Sequence, residues 1–394
     1  MTKALFITHT AAPSGAELAT LRLAIALRGT GSSGTRTPGI DVAVVCAENG
    51  PIVDRMREAG VEATVLQSTF DSRAMTVRSR SFRRLIVGFF GLVKLGWSVG
   101  ATATSTRATV LVAESTKALI IGAVASRRAR IPLVWQVHDR ISSEYFGGLV
   151  STIIRGLGWV FSRGYIANSR STMSTLIAWH RAMLVAYPGV EPSRLDDHVG
   201  QRCPSETVVT AVGRLTPWKG QDVFLRALAD VTVRPARVYL VGGTFFDEEA
   251  FRESLERLAH ELDLPVIFTG HVDHPDAYMR GTDILVHCSV IAEPFGQVVV
   301  EGMNAGCAVI ASGPGGPAEI VEPGINGLLV DSGDQQQLTA ALNTLIGDRE
   351  LRRRLSVAGR QRAAQFDIAE SARDVAGFLD TVSATPKRKR AAHA

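Results

Sequence analysis

Short apolar runs separated by amphipathic stretches recur along this chain in the rhythm of alternating strands and helices. Runs at residues 4–9, 42–47, 63–66, 110–113, 133–137, 165–167 and 183–186 are dominated by Val, Ile, Leu and Ala with little polar alternation. That pattern predicts strands covered on both faces, as in a parallel sheet fed by βαβ crossovers. Pro188-Gly189-Val190-Glu191-Pro192 interrupts the rhythm and is predicted as an interdomain hinge. A second series follows at 208–212, 237–241, 266–269, 284–288 and 308–311, then helical periodicity from Gln335 onward, with a last helix near 368–382. The expectation is α/β with two parallel-sheet domains whose strand ends face one cleft.

Length agrees, because 394 residues exceed what one core organises and suit two of about 190 each. With 46% hydrophobic and 21% charged residues the composition is ordinary for a globular protein and excludes a disordered or fibrous chain. Arg28 to Ile40 holds four glycines and a proline, which predicts a surface insertion. Cys46, Cys203, Cys288 and Cys307 lack C-x-x-C spacing and no signal peptide precedes them, so they read as buried reduced thiols in a cytoplasmic protein without structural zinc. Lys387 to Arg390 supply four of the five formal positive charges, so no nucleic-acid partner is expected and 384–394 reads as a disordered basic tail.

Arg73, Arg78, Arg80, Arg83 and Arg84 run into the apolar, aromatic stretch 85–97, which Lys94 interrupts and which is too short to span a bilayer. Peripheral membrane contact through residues 73–97 is expected, at the inner face of the cell membrane. The alternative is a buried helix with Phe89, Phe90 and Trp97 as its core face.

Chemistry concentrates at predicted strand ends. Pro294 and Gly296 end what precedes them and free Gln297 to start a helix running through Met303 and Ala305. Glu293 then lies outside the helix and Glu301 about one turn in, roughly 6 Å along the axis. The N–H groups of Phe295, Gly296 and Gln297 form an anion site, and the two carboxylates can accept hydrogen bonds from vicinal hydroxyls. A phosphate joined to a polyhydroxyl ring satisfies both; the alternative is that Glu293 caps the helix and Glu301 is solvated. Arg214 and Lys219 lie in the loop leaving the strand at 208–212, where a fork and a point charge suit a diphosphate. Gly15 follows the first strand and permits close approach of a phosphate, or simply eases a strand-to-helix turn. His138 ends another strand and can donate to a sugar hydroxyl or to developing charge. Asp139 orients it or caps the next helix, and Asn168 with Ser169 reads as a cap. No D-x-D metal motif occurs in the chain.

Gly213-Arg214 with Lys219, Val241-Gly242-Gly243, Thr269-Gly270-His271-Val272, Glu293-Pro-Phe-Gly296 with Glu301, and Gly315-Gly316-Pro317-Ala318-Glu319 follow one another in that order. With them the chain resembles the retaining glycosyltransferases of family 4, group 1, which have the GT-B fold of two Rossmann-like domains facing across a cleft. The resemblance covers nearly the whole chain and is more specific in its C-terminal half; Ser14 stands where the family often has a second glycine beside Gly15. It implies an acceptor-side domain at 1–190, onto which a helix at about 367–383 packs back, and a nucleotide-sugar domain at 191–366. It implies catalytic roles for His138, Arg214, Lys219 and Glu293. Donor contacts fall to Gly15, Arg214, Lys219, Gly243, His271, Val272, Phe295, Gly296, Gln297 and Glu301, with Glu301 on the ribose and the His271-Val272 loop on the base.

The implied reaction moves a hexose, with retention, from a UDP- or GDP-linked sugar to a hydroxyl of a glycan or lipid-linked acceptor, with no cofactor and no divalent metal. A sugar-nucleotide epimerase of the same fold and a noncatalytic sugar-nucleotide-binding protein are the alternatives. Gly313 to Ala318 fits a dinucleotide fingerprint only formally, with prolines in the turn.

Overall fold

The structure is a computed structural model that describes residues 2–11, 15–29, 39–66, 82–191, 206–244 and 248–384, without the side chains of 82–87 and 89. Ser14, most of the Arg28 to Ile40 insertion, Arg73, Arg78, Arg80, Cys203 and the basic tail from 385 lie outside the described residues. The chain divides into two units, Met1–Gly189 with Ile368–Ala394, and Val190–Asp367. The division falls within the proline-bounded segment 188–192.

In the first unit β1 (Lys3–Thr8), α1 (Gly15–Leu27), β2 (Asp41–Cys46), α2 (Pro51–Glu58), β3 (Glu62–Val65), α3 (Phe82–Ser105), β4 (Val110–Ala113), α4 (Thr116–Ala129), β5 (Leu133–Val137), α5 (Ser143–Phe146), α6 (Gly148–Phe161), β6 (Gly164–Ala167), α7 (Arg170–Met173) and β7 (Ala182–Val185) follow in turn. The seven strands are parallel in the order β3-β2-β1-β4-β5-β6-β7. Side chains alternate across the pleat. Ala4 and Phe6 enter the layer shared with α1, α2 and the last helix of the chain, while Leu5 and Ile7 enter the layer built by α3, α4 and α6. α3 packs on α4 with Leu92, Leu95, Val99 and Ala103 buried, yet Phe90 and Trp97 are 66% and 59% exposed. Those two aromatics therefore do not form the helix's core face. Among the described residues no helix is long and apolar enough to cross a membrane.

The second unit runs β8 (Val208–Val212), α8 (Gln221–Ala229), β9 (Arg237–Val241), α9 (Glu249–Glu261), β10 (Val266–Gly270), α10 (Asp276–Arg280), β11 (Ile284–His287), α11 (Gln297–Ala305), β12 (Ala308–Gly313), α12 (Pro317–Ile320), β13 (Leu328–Asp331), α13 (Gln335–Gly347) and α14 (Arg349–Ala363). Its six parallel strands are ordered β10-β9-β8-β11-β12-β13. β13, absent from the sequence expectation, pairs Leu328 with Ile310 of β12 at the sheet edge. The final helix, α15 (Ile368–Ala384), packs on α1 of the first unit through Ala372, Val375, Ala376, Leu379 and Val382.

Each sheet has a switch point, where the chain winds outward in opposite directions from one strand. It lies between β1 and β4 in the first unit and between β8 and β11 in the second. In open α/β sheets ligands bind beyond the carboxyl ends of the strands at that place.

Candidate active site

In the second unit the loop leaving β8 is laced to its neighbours: Gly213 N–H donates to Val241 O at 2.9 Å, and Leu215 N–H to Gly243 O at 3.0 Å. Gly242 N–H reaches Gly270 O at 3.1 Å, so the ends of β8, β9 and β10 form one rim. Pro217–Lys219 makes a single 3₁₀ turn, and Gly220, at φ 67°, turns the chain into α8. A Cβ at Gly220 would lie 2.1 Å from Cys288 O, so only glycine lets this turn lie against the end of β11. The approach delivers Lys219 across the switch point, with its Nζ 2.6 Å from Glu293 Oε1 and 4.5 Å from the centre of the Trp218 ring.

Glu293 is clamped from the other side by the Gly-Gly-Pro segment. Gly315 bridges it, and Gly316 N–H donates to Glu293 O at 2.8 Å. A Cβ on Gly316 would come within 2.2 Å of Phe295 Cα. The Glu293 side chain is 11% exposed, and its Oε2 accepts from His287 Nε2 and Ser289 Oγ, each at 2.5 Å. His287 Nδ1 accepts the Ser312 backbone N–H at 3.3 Å, which leaves the ring proton on Nε2, pointing at Glu293. Burial, the largest single influence, pushes the Glu293 carboxyl upward, but Lys219 and His287 together outweigh it and hold the group well below the usual carboxylate range. Glu293 is thus a fixed anion and a hydrogen-bond acceptor, unsuited to shuttling a proton near neutral pH.

The helix start is as the sequence predicts: α11 begins at Gln297, its N-cap Gly296 has φ 88°, and no side chain caps it. Glu293 is engaged elsewhere, which removes the capping alternative. Gln297 Nε2 donates to Glu301 Oε1 at 2.8 Å, bracing that half-buried carboxylate one turn in. Phe295 is buried edge-on against Phe366, with ring centroids 5.8 Å apart. Arg214 turns to Glu248, Nε to Oε2 at 3.4 Å, while its carbonyl accepts Gln221 Nε2 at 2.8 Å. His271 is exposed beyond the edge strand β10, 3.9 Å from Asp273, with Val272 half-buried beside it.

Sequence reasoning missed His287, Ser289, Ser312 and Glu248. His287 and Ser289 were visible as polar residues at the end of an apolar run; Ser312 and Glu248 are distant in sequence and carried no signal.

The first unit's switch point carries its own polar cluster. His138 Nε2 lies 2.7 Å from Glu114 Oε2, which also accepts Thr20 Oγ1 at 2.6 Å, and Asn168 Nδ2 donates to His138 O at 2.8 Å. The side-chain hydrogen-bond partner of His138 is thus Glu114, beyond the end of β4, rather than Asp139. Burial alone, the largest influence, would lower the His138 pKa, but the hydrogen bond to Glu114 and its charge raise it above the ordinary imidazole value. Ser115 caps α4 and contacts His9 Nδ1 at 2.8 Å; burial, then Lys117, lowers the His9 pKa to about 4, so His9 is neutral. Gly15 opens α1 and is exposed. Ser169 caps α7, accepting Thr172 N–H at 2.9 Å, as the sequence predicts. Among the described residues no three His, Cys, Asp or Glu side chains gather where a metal ion could be held.

Residues 197–362 match the family model described as glycosyl transferases group 1, and residues 14–196 that of the glycosyl transferase 4-like domain. The chain belongs to the group 1 glycosyl transferases. The fold of this group 1 chain is GT-B, with parallel sheets of seven and six strands. It is 33% identical over 189 residues to D-inositol 3-phosphate glycosyltransferase of Nocardia farcinica, a match covering 46% of this chain and 41% of that relative. The match thus spans about two fifths of the length of such curated relatives. Among solved structures, Anabaena Alr3699/HepE in complex with UDP and glucose is 28% identical with a TM-score of 0.80, covering 97% of this chain and 100% of that one. The same protein in complex with UDP-glucose gives 0.79 at 28% identity, over 97% and 100% of the two chains.

Proposed function

We propose that this chain transfers a hexose, with retention and without a divalent metal, from a UDP- or GDP-linked sugar to a hydroxyl of a glycan or lipid-linked acceptor. The observation that carries the reading is the ion pair of half-buried Lys219 with buried Glu293 at the β8/β11 switch point, 2.6 Å apart beside the uncapped start of α11. A departing nucleoside diphosphate needs positive charge placed in advance, and Lys219, Arg214 and the helix start supply it. Glu293, held ionised and oriented by His287, presents its carboxylate to hydroxyls of the donor sugar, and Glu301, braced by Gln297, takes the ribose hydroxyls. At the first unit's own switch point His138, polarised by Glu114, offers a hydrogen-bond donor suited to a sugar hydroxyl, and Gly15 opens α1 where a phosphate can approach closely. The rim of Gly243, His271 and Val272 receives the base. A cytoplasmic setting accords with Cys46, Cys288 and Cys307, which are buried and unpaired.

UDP-glucose is the first donor to test, since HepE is solved with it. A thermal-shift comparison of UDP, GDP and ADP, free and sugar-linked, identifies the cognate nucleotide, which at a hundredfold its Kd stabilises the fold by about 2.7 kcal/mol. Turnover of that donor with EDTA present should continue in the parent chain and fall at least a hundredfold in Glu293→Gln and Lys219→Ala, and less in the more exposed Arg214→Ala. Undiminished turnover in all three would sink the site assignment, and loss on chelation would overturn the metal-free reading. Release of nucleoside diphosphate with a glycosylated acceptor distinguishes transfer from epimerisation of the donor.

A further inference from the structure

A surface helix that buries one face ordinarily turns a polar face to water. α6 does not. Ser151, Ile154 and Gly158 are buried, yet Leu149, Ile153 and Val160 on the opposite side are 75%, 52% and 55% exposed. Their spacing of four and seven residues aligns them into one outward apolar stripe. At its C-terminal end Trp159 Nε1 donates to Trp179 O at 3.0 Å, and Trp179 is itself 69% exposed. Arg127 lies 4.6 Å over Phe161 and Arg128 4.5 Å over Trp97, so α4 joins the stripe to the exposed tryptophan of α3. Arg181 stacks 5.1 Å over Trp159. On this part of the first unit guanidinium groups therefore stack on the aromatic side chains that flank the exposed stripe of α6.

The segment that carries this face is basic. Residues 88–190 contain eleven Lys and Arg against three Asp and Glu, whereas the rest of the chain contains 32 against 35. Of the three carboxylates, Glu114 is buried against His138. From 145 to 190 there are four arginines and no carboxylate. Among the described residues Arg127, Arg128, Arg155 and Arg181 meet no carboxylate; their N–H groups bond backbone carbonyls or the Ser151 hydroxyl.

We propose that this face of the first unit docks on an anionic lipid bilayer, with α6 lying in the plane of the interface. Apolar side chains on an outward helix face enter the acyl boundary, tryptophans settle at headgroup depth, and flanking arginines pair with lipid phosphate. A second copy of the chain meeting the same patch would set this basic surface against itself. A nucleic acid would engage the cations and leave the Leu149 to Val160 stripe in water. The surface is centred on α6, beyond the 73–97 stretch, from which Phe90 and Trp97 are the exposed aromatics described. The proposal goes beyond the transferase reading and does not depend on it, because its assay reads binding and no turnover.

The test is flotation of the full chain with phosphatidylcholine vesicles, with and without phosphatidylglycerol. Binding is expected to the anionic vesicles and to weaken as salt is raised. Ile153→Asp with Val160→Asp should lower partitioning at least tenfold, and Arg127→Glu with Arg128→Glu by a similar factor, about fivefold per lost charge. All four positions are exposed, and unchanged thermal melts verify the fold. The proposal fails if no binding occurs at low salt, or if binding survives both pairs of changes and disappears only when the basic tail is removed. It also fails if light scattering shows a dimer that the Ile153 and Val160 changes dissolve, which would assign the face to a second copy.

Discussion

Glu293 illustrates how far a residue's neighbours determine its chemistry. From sequence, Lys219 was a diphosphate ligand and Glu293 a sugar ligand, two separate assignments 74 positions apart. Their contact, and the His287 proton that fills the other carboxylate oxygen, could be seen only once β8 and β11 lay side by side. The arrangement has a pH signature. The Glu293 pKa is depressed from its ordinary 4.5, so the ion pair contributes stability that is fully present above that value and is lost as pH falls toward the folded-state pKa. Glu293→Gln, which leaves Lys219 largely buried without its anion, should cost about 3 kcal/mol near neutral pH. The cost should shrink by about 2 kcal/mol by roughly pH 3, because the variant lacks the titrating group. Urea unfolding of both proteins across that range checks this; a gap constant from pH 6 to pH 3 would contradict the assignment.

Most elements were legible because local rules and the tertiary environment agree. The start of α11 could be placed at Gln297 because Pro294 and Gly296 permit no earlier helix, and Ser169 could be named a cap because its hydroxyl satisfies the orphan Thr172 N–H. β13 was not legible: Leu328 and Leu329 are half-buried, and four residues at a sheet edge give no periodicity to read. α15 is the element where packing decides most. Its buried side chains contact α1, more than 340 residues earlier in the chain. Leu379→Ala should destabilise the first unit by about 3 kcal/mol through the cavity it leaves. Hydrogen exchange should report it as lost protection in α1 and α15, with β8 to β11 unchanged; equal loss in both units would show that α15 is not specifically a first-unit element.

At the scale of the whole molecule the cysteines provide a simple check. Burial pushes the Cys46 and Cys288 thiols up to about 12 and Cys307 higher still, so none of the three offers a thiolate at neutral pH. A thiol reagent should label them only after unfolding, and rapid native labelling of any one would refute its placement in the core. Net charge was misleading at this scale, since a total of +5 with a basic tail concealed a strongly basic stretch balanced by acidic sequence elsewhere. By itself the sequence determined the alternation of strands and helices, the glycine and proline turns and the identity of the charged residues at strand ends. Each follows from backbone sterics or from the period of apolar residues, which act over a few positions. Tertiary structure alone decided that Lys219 neutralises Glu293, that Glu114 rather than Asp139 holds the His138 ring, and that α6 is apolar on both sides. Those facts depend on which strand ends and helix faces the parallel sheets bring together, and contacts between distant segments leave no period in a single chain.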